Sequence, residues 1–152
     1  ACAPNNQGIR ILLSDTGPHV KRLGALLDGV PEGMVLNFTY EKWSQSCKKD
    51  EHERQKCNKS IAVHEFGHAL AFAHEHNRWD TPGECLKEPE VSNDKSFPNN
   101  AALTDYKALT SYDPDSVMNY CNPIYNNKGI LSDLDISGLH QAYCEPGGKV
   151  TR

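Results

Sequence analysis

The residues best suited to catalysis lie between His64 and His74. His64 and His68 are four residues apart in a helix-compatible stretch, so their imidazoles project from one helical face, where both reach a single metal ion. Glu65 lies about 100° around that helix from His64, beside the ion rather than on it. A carboxylate in that place takes a proton from metal-activated water. The spacing therefore predicts a metal site with its own general base.

His74 is the candidate third ligand, provided that the chain turns after the helix. On a continuous helix His74 would point about 120° away from the face that carries His68. A turn near Ala71 removes that obstacle. Three histidines leave the fourth tetrahedral position of a zinc ion for water, which is typical of catalytic rather than structural zinc. We therefore expect one catalytic Zn²⁺ held by His64, His68 and His74.

This stretch resembles the long zinc signature of the metzincin metalloproteases, His-Glu-x-x-His-x-x-Gly-x-x-His. Its continuation through Glu75 to Arg78 is similar to that of the astacin branch. Ala71 stands where the family has glycine, and an alanine at positive φ costs about 1–2 kcal/mol. The resemblance implies a zinc-dependent endopeptidase in which Glu65 is the general base.

The segment from Ser116 to Tyr120 resembles the astacin-type Met-turn, Ser-x-Met-x-Tyr. The resemblance implies that Met118 forms an apolar floor under the three imidazoles. It also implies that Tyr120 reaches toward the metal and hydrogen-bonds the tetrahedral intermediate, as oxyanion stabilisation requires. Tyr120 is thus the second candidate catalytic residue after Glu65.

The resemblance covers most of the chain from Gly8 to Tyr143 and implies an α+β, metzincin-like fold. We expect a small twisted sheet with an edge strand over a buried active-site helix, followed by a C-terminal part that is mostly loop plus one helix. Residues 1–152 are expected to form a single catalytic domain. Only eight residues precede Ile9 of the first strand, so the N-terminal strand and helix usual in the family are expected to be absent.

Local patterns predict the individual elements. Alternating, β-branched residues predict strands at Gly8–Ser14 and Met34–Tyr40, and the second resembles the metzincin edge strand that pairs with substrate. Asn58 is the expected cap of the active-site helix, which ends at Leu70 or Ala71. A surface loop is expected at Asn77–Pro98 and a short helix at Asn100–Leu109. A capping box at Ser132–Asp135 is expected to open an amphipathic helix with Ile136, Leu139 and Tyr143 on its apolar side.

The charge and hydropathy of the chain argue against nucleic acid and membranes as binding partners. The net charge of −4 and pI near 6.0 give no electrostatic footprint for nucleic acid or an anionic membrane. No stretch approaches the roughly 18 apolar residues that a membrane span needs. The start at Ala1-Cys2-Ala3-Pro4 is typical of a processed N-terminus. We expect a protein or peptide substrate, a monomer, and neither nucleic-acid nor membrane binding.

Six cysteines without a Cys-x-x-Cys pair favour disulfides and an oxidising, extracellular compartment. Cys47 and Cys57 flank a charged stretch that is typical of a hydrophilic loop, which makes them the best-supported pair. Cys85 with Cys121 would tie together the two segments that flank the site, and Cys2 with Cys144 remains. Six cysteines permit 15 pairings, so the last two stay open.

Two alternative interpretations of the sequence compete with a metzincin-type peptidase. A catalytically inert, protease-like binding module is suggested by Ala71 and the short N-terminus, whereas Glu65 argues against it. A thermolysin-type site would use Glu84 as third ligand, but Glu84 lies in a turn-like Pro-Gly-Glu-Cys. Calcium is a further candidate that no twelve-residue loop supports. The acidic and amide residues considered for it are Asp80, Glu84, Asn93 and Asp94.

Five other residues, three acids and two histidines, have an ordinary structural role as the alternative to a functional one. In astacins the position of Glu75 can meet the amino terminus of the mature chain, and in matrixins an aspartate at the position of Asp133 or Asp135 does so. A local salt bridge or a solvated carboxylate is the alternative for these acids. His76 and His140 are expected to be packing or surface residues rather than ligands.

Overall fold

The computed structural model describes residues 6–92 and 107–144. The chain falls into two compact units, Ala1–Phe72 and Ala73–Arg152. The small α+β fold expected from the sequence is confirmed. Within the described residues, no helix combines the length and the apolar character that crossing a membrane requires.

Three short strands form the sheet of the first unit: β1 (Ile11–Leu13), β2 (His19–Val20) and β3 (Met34–Leu36). β3 lies in the middle, parallel to β1 and antiparallel to β2. All three of its residues are buried. The prediction that this strand is the edge strand is therefore wrong for the described sheet. Its backbone groups already serve the two neighbouring strands, whose pairing the local sequence does not encode.

β3 is shorter than predicted because a side chain takes over the backbone bonds at its end. The side-chain oxygen of Asn37 accepts the backbone N–H groups of Thr39 and Tyr40 at 3.0 and 2.9 Å. These bonds form a local turn that competes with the hydrogen bonds between strands. β3 consequently ends at Leu36 rather than at Tyr40, which has φ 55°. The amide of Asn37 is fully buried and donates to the Asp15 carboxylate and the Thr16 carbonyl.

Two helices follow the sheet: α1 (Gln45–Lys48) and α2 (Glu51–Ala69). The prediction that Asn58 caps α2 is wrong, because Asp50 accepts the Glu53 N–H and starts the helix well before that residue. The charged stretch expected to be a loop forms the first turns of α2. Glu51 bonds Arg54 and Gln55, and acids in a first turn also complement the helix dipole. Asn58 instead accepts the Tyr40 hydroxyl at 2.7 Å.

The second half of α2 is buried along one face only. Ile61, His64 and His68 are at most 3% exposed, whereas Phe66 and Leu70 are 42% and 41% exposed. The active-site helix that the sequence predicts to be buried is therefore buried on one face only. The helix packs against β2, β3 and the 3₁₀ turn Gly24–Leu27.

A disulfide joins Cys47 in α1 to Cys57 in α2, which confirms the first predicted pair. We expect the double substitution Cys47→Ser/Cys57→Ser to lower the free energy of unfolding by about 2–3 kcal/mol, because it releases a ten-residue loop in the unfolded chain. Urea denaturation followed by circular dichroism measures this change. A loss below about 1 kcal/mol would show that native-state strain offsets the loop entropy.

The second unit consists mostly of turns and short helices. It contains 3₁₀ turns at Glu75–Asn77 and Cys85–Lys87, then α3 (Pro89–Ser92), and finally α4 (Asp133–Tyr143). The segment predicted as a loop at Asn77–Pro98 therefore includes brief helices, too short to leave a periodic signal. The helix expected at Asn100–Leu109 lies largely outside the described residues.

The C-terminal helix follows its sequence pattern closely. Ser132 and Asp135 form the predicted capping box, each accepting the backbone N–H of the other. On the predicted apolar side Leu139 is half-buried, while Ile136 and Tyr143 remain 43% exposed. The cap rather than deep burial therefore fixes where α4 begins.

Candidate metal centre

α2 ends in a reversal that the third histidine requires. The Ala71 N–H bonds the His68 carbonyl at 2.9 Å and the Phe72 N–H bonds the Gly67 carbonyl at 3.1 Å, the pair of bonds that defines a Schellman motif. Ala71 occupies the left-handed position of this motif with φ 68°. The turn expected near Ala71 is present, although alanine replaces the usual glycine.

Gly24 makes room for the Ala71 methyl group. A Cβ built on Gly24 would lie 2.7 Å from the Ala71 Cβ, well inside van der Waals contact. Gly24 itself has φ 53°, so a side chain there would be strained even in open space. Glycine at position 24 thus leaves the space that the side chain of Ala71 occupies.

The same reversal orients His68. The ring Nδ1 lies 2.8 Å from the Phe72 carbonyl oxygen, which can only accept, so Nδ1 carries the proton. Nε2 then keeps its lone pair for a metal, a backbone-supported arrangement common among zinc ligands. The His64 ring meets the His68 ring edge-on, with centroids 4.7 Å apart.

In the second unit, His74 is 3% exposed and is packed between aromatic rings. Its centroid lies 4.8 Å from that of His76 and 4.5 Å from that of Tyr120. Two bonds hold this segment to the Met-turn: the Glu75 N–H donates to the Met118 carbonyl at 2.9 Å, and the Tyr120 N–H donates to His76 Nδ1 at 3.2 Å. His76 is thus a buried packing residue.

His64, His68 and His74 each offer one ring nitrogen, and these three atoms lie within 4.8 Å of one another. Three buried imidazoles form a donor set that suits zinc. Glu84, the third ligand of the thermolysin-type alternative, is an exposed residue whose carboxylate lies 3.9 Å from the Lys87 ammonium. Asp80 pairs with Arg78, while Asn93 and Asp94 lie outside the described residues.

Glu65 is 5% exposed, and its Oε2 has no hydrogen-bond partner among the described residues. Burial raises the pKa of the Glu65 carboxyl to about 8. A carboxyl whose pKa lies near neutrality can both accept and return a proton. Burying it without a partner is costly, so this position favours a chemical over a packing role.

A family model described as Astacin, a peptidase family, matches residues 49–142. The chain belongs to the astacin family. It is accordingly a metalloendopeptidase of a family of zinc enzymes and acts on protein or peptide substrates. A solved structure titled "Structure of myroilysin" is similar in fold, with 21% identity and a TM-score of 0.59 over 91% of this chain and 73% of that chain. The comparison with curated proteins gave no match.

In this astacin-family chain, Glu75 makes a local hydrogen bond and a local ion pair. Its Oε1 accepts the Asp113 N–H at 2.8 Å and lies 3.3 Å from Arg78 Nε. Burial raises the pKa of Glu75 to about 7, although the Asp113 N–H and Arg78 oppose that rise. The local salt bridge is therefore observed. The predicted contact of Glu75, Asp133 or Asp135 with the amino terminus lies outside the described residues.

Asp135 links α4 to the Met-turn of this astacin-family fold. Besides the capping box, its carboxylate accepts the Ser116 hydroxyl at 2.7 Å and the buried Val117 N–H at 3.1 Å. We expect Asp135→Ala to lower the free energy of unfolding by about 2 kcal/mol, because it removes one half of the capping box and the carboxylate that accepts the buried Val117 N–H. Chemical denaturation measures this, with Asp133→Ala as the matched exposed control. Equal effects of the two variants would contradict the assignment.

A second disulfide joins Cys85 to Cys121, directly after the Met-turn, as the sequence suggested. Cys144 is exposed, and its expected partner Cys2 lies outside the described residues, so that pair stays a prediction.

Sequence reasoning missed two amides in this astacin-family chain. Asn122 and Asn126 are 7% and 4% exposed, in a segment whose turn-rich composition indicates only a surface loop. The asparagine density of residues 119–127 was the available signal, but asparagine is also the ordinary residue of turns.

Proposed function

We propose that this chain is an extracellular zinc endopeptidase in which His64, His68 and His74 hold the ion and Glu65 is the general base. The observation that carries the proposal is the group of three buried imidazoles next in sequence to a buried carboxylate with an unpartnered oxygen. The Nδ1 bond of His68 supports it, since it leaves Nε2 for the metal.

The donor set fits zinc better than calcium or magnesium, which prefer oxygen ligands. When bound by three histidines, zinc supplies Lewis acidity that activates water at neutral pH and polarises a carbonyl group.

Glu65 accepts a proton from the attacking water and delivers it to the leaving amine. Tyr120, whose ring lies beside that of His74, is assigned by our proposal to donate its phenolic hydrogen to the oxyanion. Met118 is 4% exposed, and its carbonyl fixes the Glu75 N–H, which favours a supporting role for the Met-turn next to the third ligand.

The remaining expectations belong to the same proposal. Residues 1–152 act as one catalytic domain, and the protein works as a monomer outside the cell, where its two observed disulfides persist. Nucleic acid and membranes are not expected partners. Calcium remains a possible ligand of the chain but is not part of the proposal, because no twelve-residue loop pattern in the sequence supports it.

The proposal is tested by incubating the purified chain with a denatured protein, with and without a zinc chelator, and measuring bound metal by mass spectrometry. We expect internal peptide-bond cleavage, its loss on chelation, its return on adding zinc, and one zinc per chain. Cleavage that persists in chelator would contradict the metal's role.

Stoichiometric zinc without any cleavage would instead favour the inert binding module. Ala71 does not favour that alternative, since it adopts the left-handed conformation that the turn requires. No observation on the described residues argues for an inert site.

A further inference from the structure

His76 is a buried residue to which the proposed zinc site gives no role. It is 1% exposed, and it is not one of the three histidines whose ring nitrogens lie close enough to share a metal ion. Burying an imidazole removes two polar nitrogens from water, so a residue that only filled space would be better replaced by an apolar one. The polar atoms of this ring therefore serve another group.

One ring nitrogen of His76 binds the backbone of Tyr120. The Tyr120 N–H donates to His76 Nδ1 at 3.2 Å. A backbone N–H can only donate, so Nδ1 is the unprotonated nitrogen of the ring and Nε2 carries the hydrogen. A second bond, from the Glu75 N–H to the Met118 carbonyl at 2.9 Å, joins the same two segments through backbone atoms alone. The bond at position 76 is the one that depends on the residue type.

The His76 ring also packs against the rings of Tyr120 and His74. Its centroid lies 4.6 Å from that of Tyr120, with 31° between the planes, and 4.8 Å from that of His74, with 23° between the planes. The centroids of Tyr120 and His74 are 4.5 Å apart. Packed aromatic pairs contribute about 0.5–1.5 kcal/mol beyond the burial of their area. His76 thus contacts both the backbone and the ring of Tyr120, next to the third histidine of the metal site.

We propose that His76 is a positioning residue, which fixes Tyr120 beside the third zinc ligand through the bond from the Tyr120 N–H to Nδ1. The Tyr120 side chain is only half-buried, so general packing does not immobilise it. An oxyanion donor is effective only when it is preorganised, and a misplacement of about 1 Å can cost about 100-fold in rate. This inference rests on the proposed function and adds to it a residue outside the ligand set.

Two substitutions separate the hydrogen bond from the packing. His76→Asn keeps an acceptor, since asparagine Oδ1 is as many bonds from the backbone as Nδ1, but it removes the ring. His76→Phe keeps a ring and removes the acceptor. We expect His76→Phe to lower kcat about 10- to 100-fold with KM nearly unchanged, because the affected donor acts in the transition state. His76→Asn should retain more of kcat. Equal losses, or the reverse order, would show that His76 only fills space and would overturn the inference.

The matched control is His140→Phe, which makes the same chemical change at an exposed position of α4. Its kcat and zinc content should equal those of the unmodified chain. Mass spectrometry of both His76 variants should also find one zinc per chain, because His76 does not belong to the ligand set. Loss of zinc together with kcat would show that His76 supports His74 rather than Tyr120, which would overturn the inference.

Combination with Tyr120→Phe tests whether His76 acts through the phenol. Tyr120→Phe removes the hydroxyl group and keeps the ring that His76 contacts. If His76 places that hydroxyl, adding His76→Phe to Tyr120→Phe should lower kcat by less than about twofold further, since the two residues act as a unit. Losses that multiply would show independent effects and overturn the inference.

A measurement on the unmodified chain needs neither a variant nor catalysis. Nitrogen-15 NMR of the zinc-loaded protein, through couplings between ring hydrogens and ring nitrogens, shows which nitrogen of His76 is protonated. We expect the hydrogen on Nε2. A hydrogen on Nδ1 in a protein that cleaves peptides would overturn this inference alone. Absence of cleavage by a chain with the hydrogen on Nε2 would instead refute the proposed function, so the two failures are distinguishable.

Discussion

A Glu65→Gln variant is expected to retain zinc but to lose roughly 100-fold to 10,000-fold in kcat/KM, the range that general acid–base catalysis contributes. Glutamine has nearly the same shape as glutamate, so the buried position on α2 stays filled. It cannot take up a proton at neutral pH, and the attacking water then lacks its base. Kinetics on a fluorogenic peptide, together with metal analysis, measure both halves of this expectation.

Glu84→Gln is the matched control for Glu65→Gln. The chemical change is identical, but Glu84 is exposed and its carboxylate lies 3.9 Å from the Lys87 ammonium. We expect its activity and zinc content to equal those of the unmodified chain. Near-normal turnover by Glu65→Gln would refute the general-base assignment, and zinc loss in that variant would show that Glu65 supports the ligands instead.

A Gly24→Ala variant is expected to lose about 2–5 kcal/mol of unfolding free energy. The new Cβ would lie 2.7 Å from that of Ala71, an overpacking that costs about 1–3 kcal/mol. The left-handed backbone at position 24, with φ 53°, adds about 1–2 kcal/mol of strain. Urea denaturation of the zinc-loaded and metal-free protein measures the loss.

Combining Gly24→Ala with Ala71→Gly isolates the steric part of that loss. Glycine at position 71 removes the opposing methyl group and suits φ 68°, so the double variant should recover about 1–3 kcal/mol beyond additivity. Ala71→Gly alone should change stability by less than about 1 kcal/mol, because relief of strain is offset by greater freedom in the unfolded chain. Strict additivity of the two substitutions would exclude the contact as the cause.

Local patterns in the sequence predicted the features that local geometry determines. The spacing of His64 and His68 follows from the helical repeat, and the Ser132–Asp135 capping box depends on neighbours three residues apart. The turn at Ala71 was predicted because His74 had to be redirected, and the backbone supplies it.

Features that depend on distant residues were not predictable in this way. The central place of β3 requires pairing with both β1 and β2, which a single strand does not encode. The early start of α2 depended on side-chain pairs such as Glu51 with Arg54, in a run of charges that is equally typical of a loop. The burial of Asn122 and Asn126 arises from tertiary packing alone.

The contact between Gly24 and Ala71 constrains the order in which relatives of this chain can diverge. A lineage can acquire a side chain at position 24 only after position 71 has become glycine, since the two Cβ atoms would otherwise overlap. The reverse substitution, alanine at 71, is open only while 24 remains glycine. Natural variation at these two positions should therefore be linked. A chain with glycine at both positions would be the intermediate between chains with a side chain at position 24 and chains with alanine at position 71.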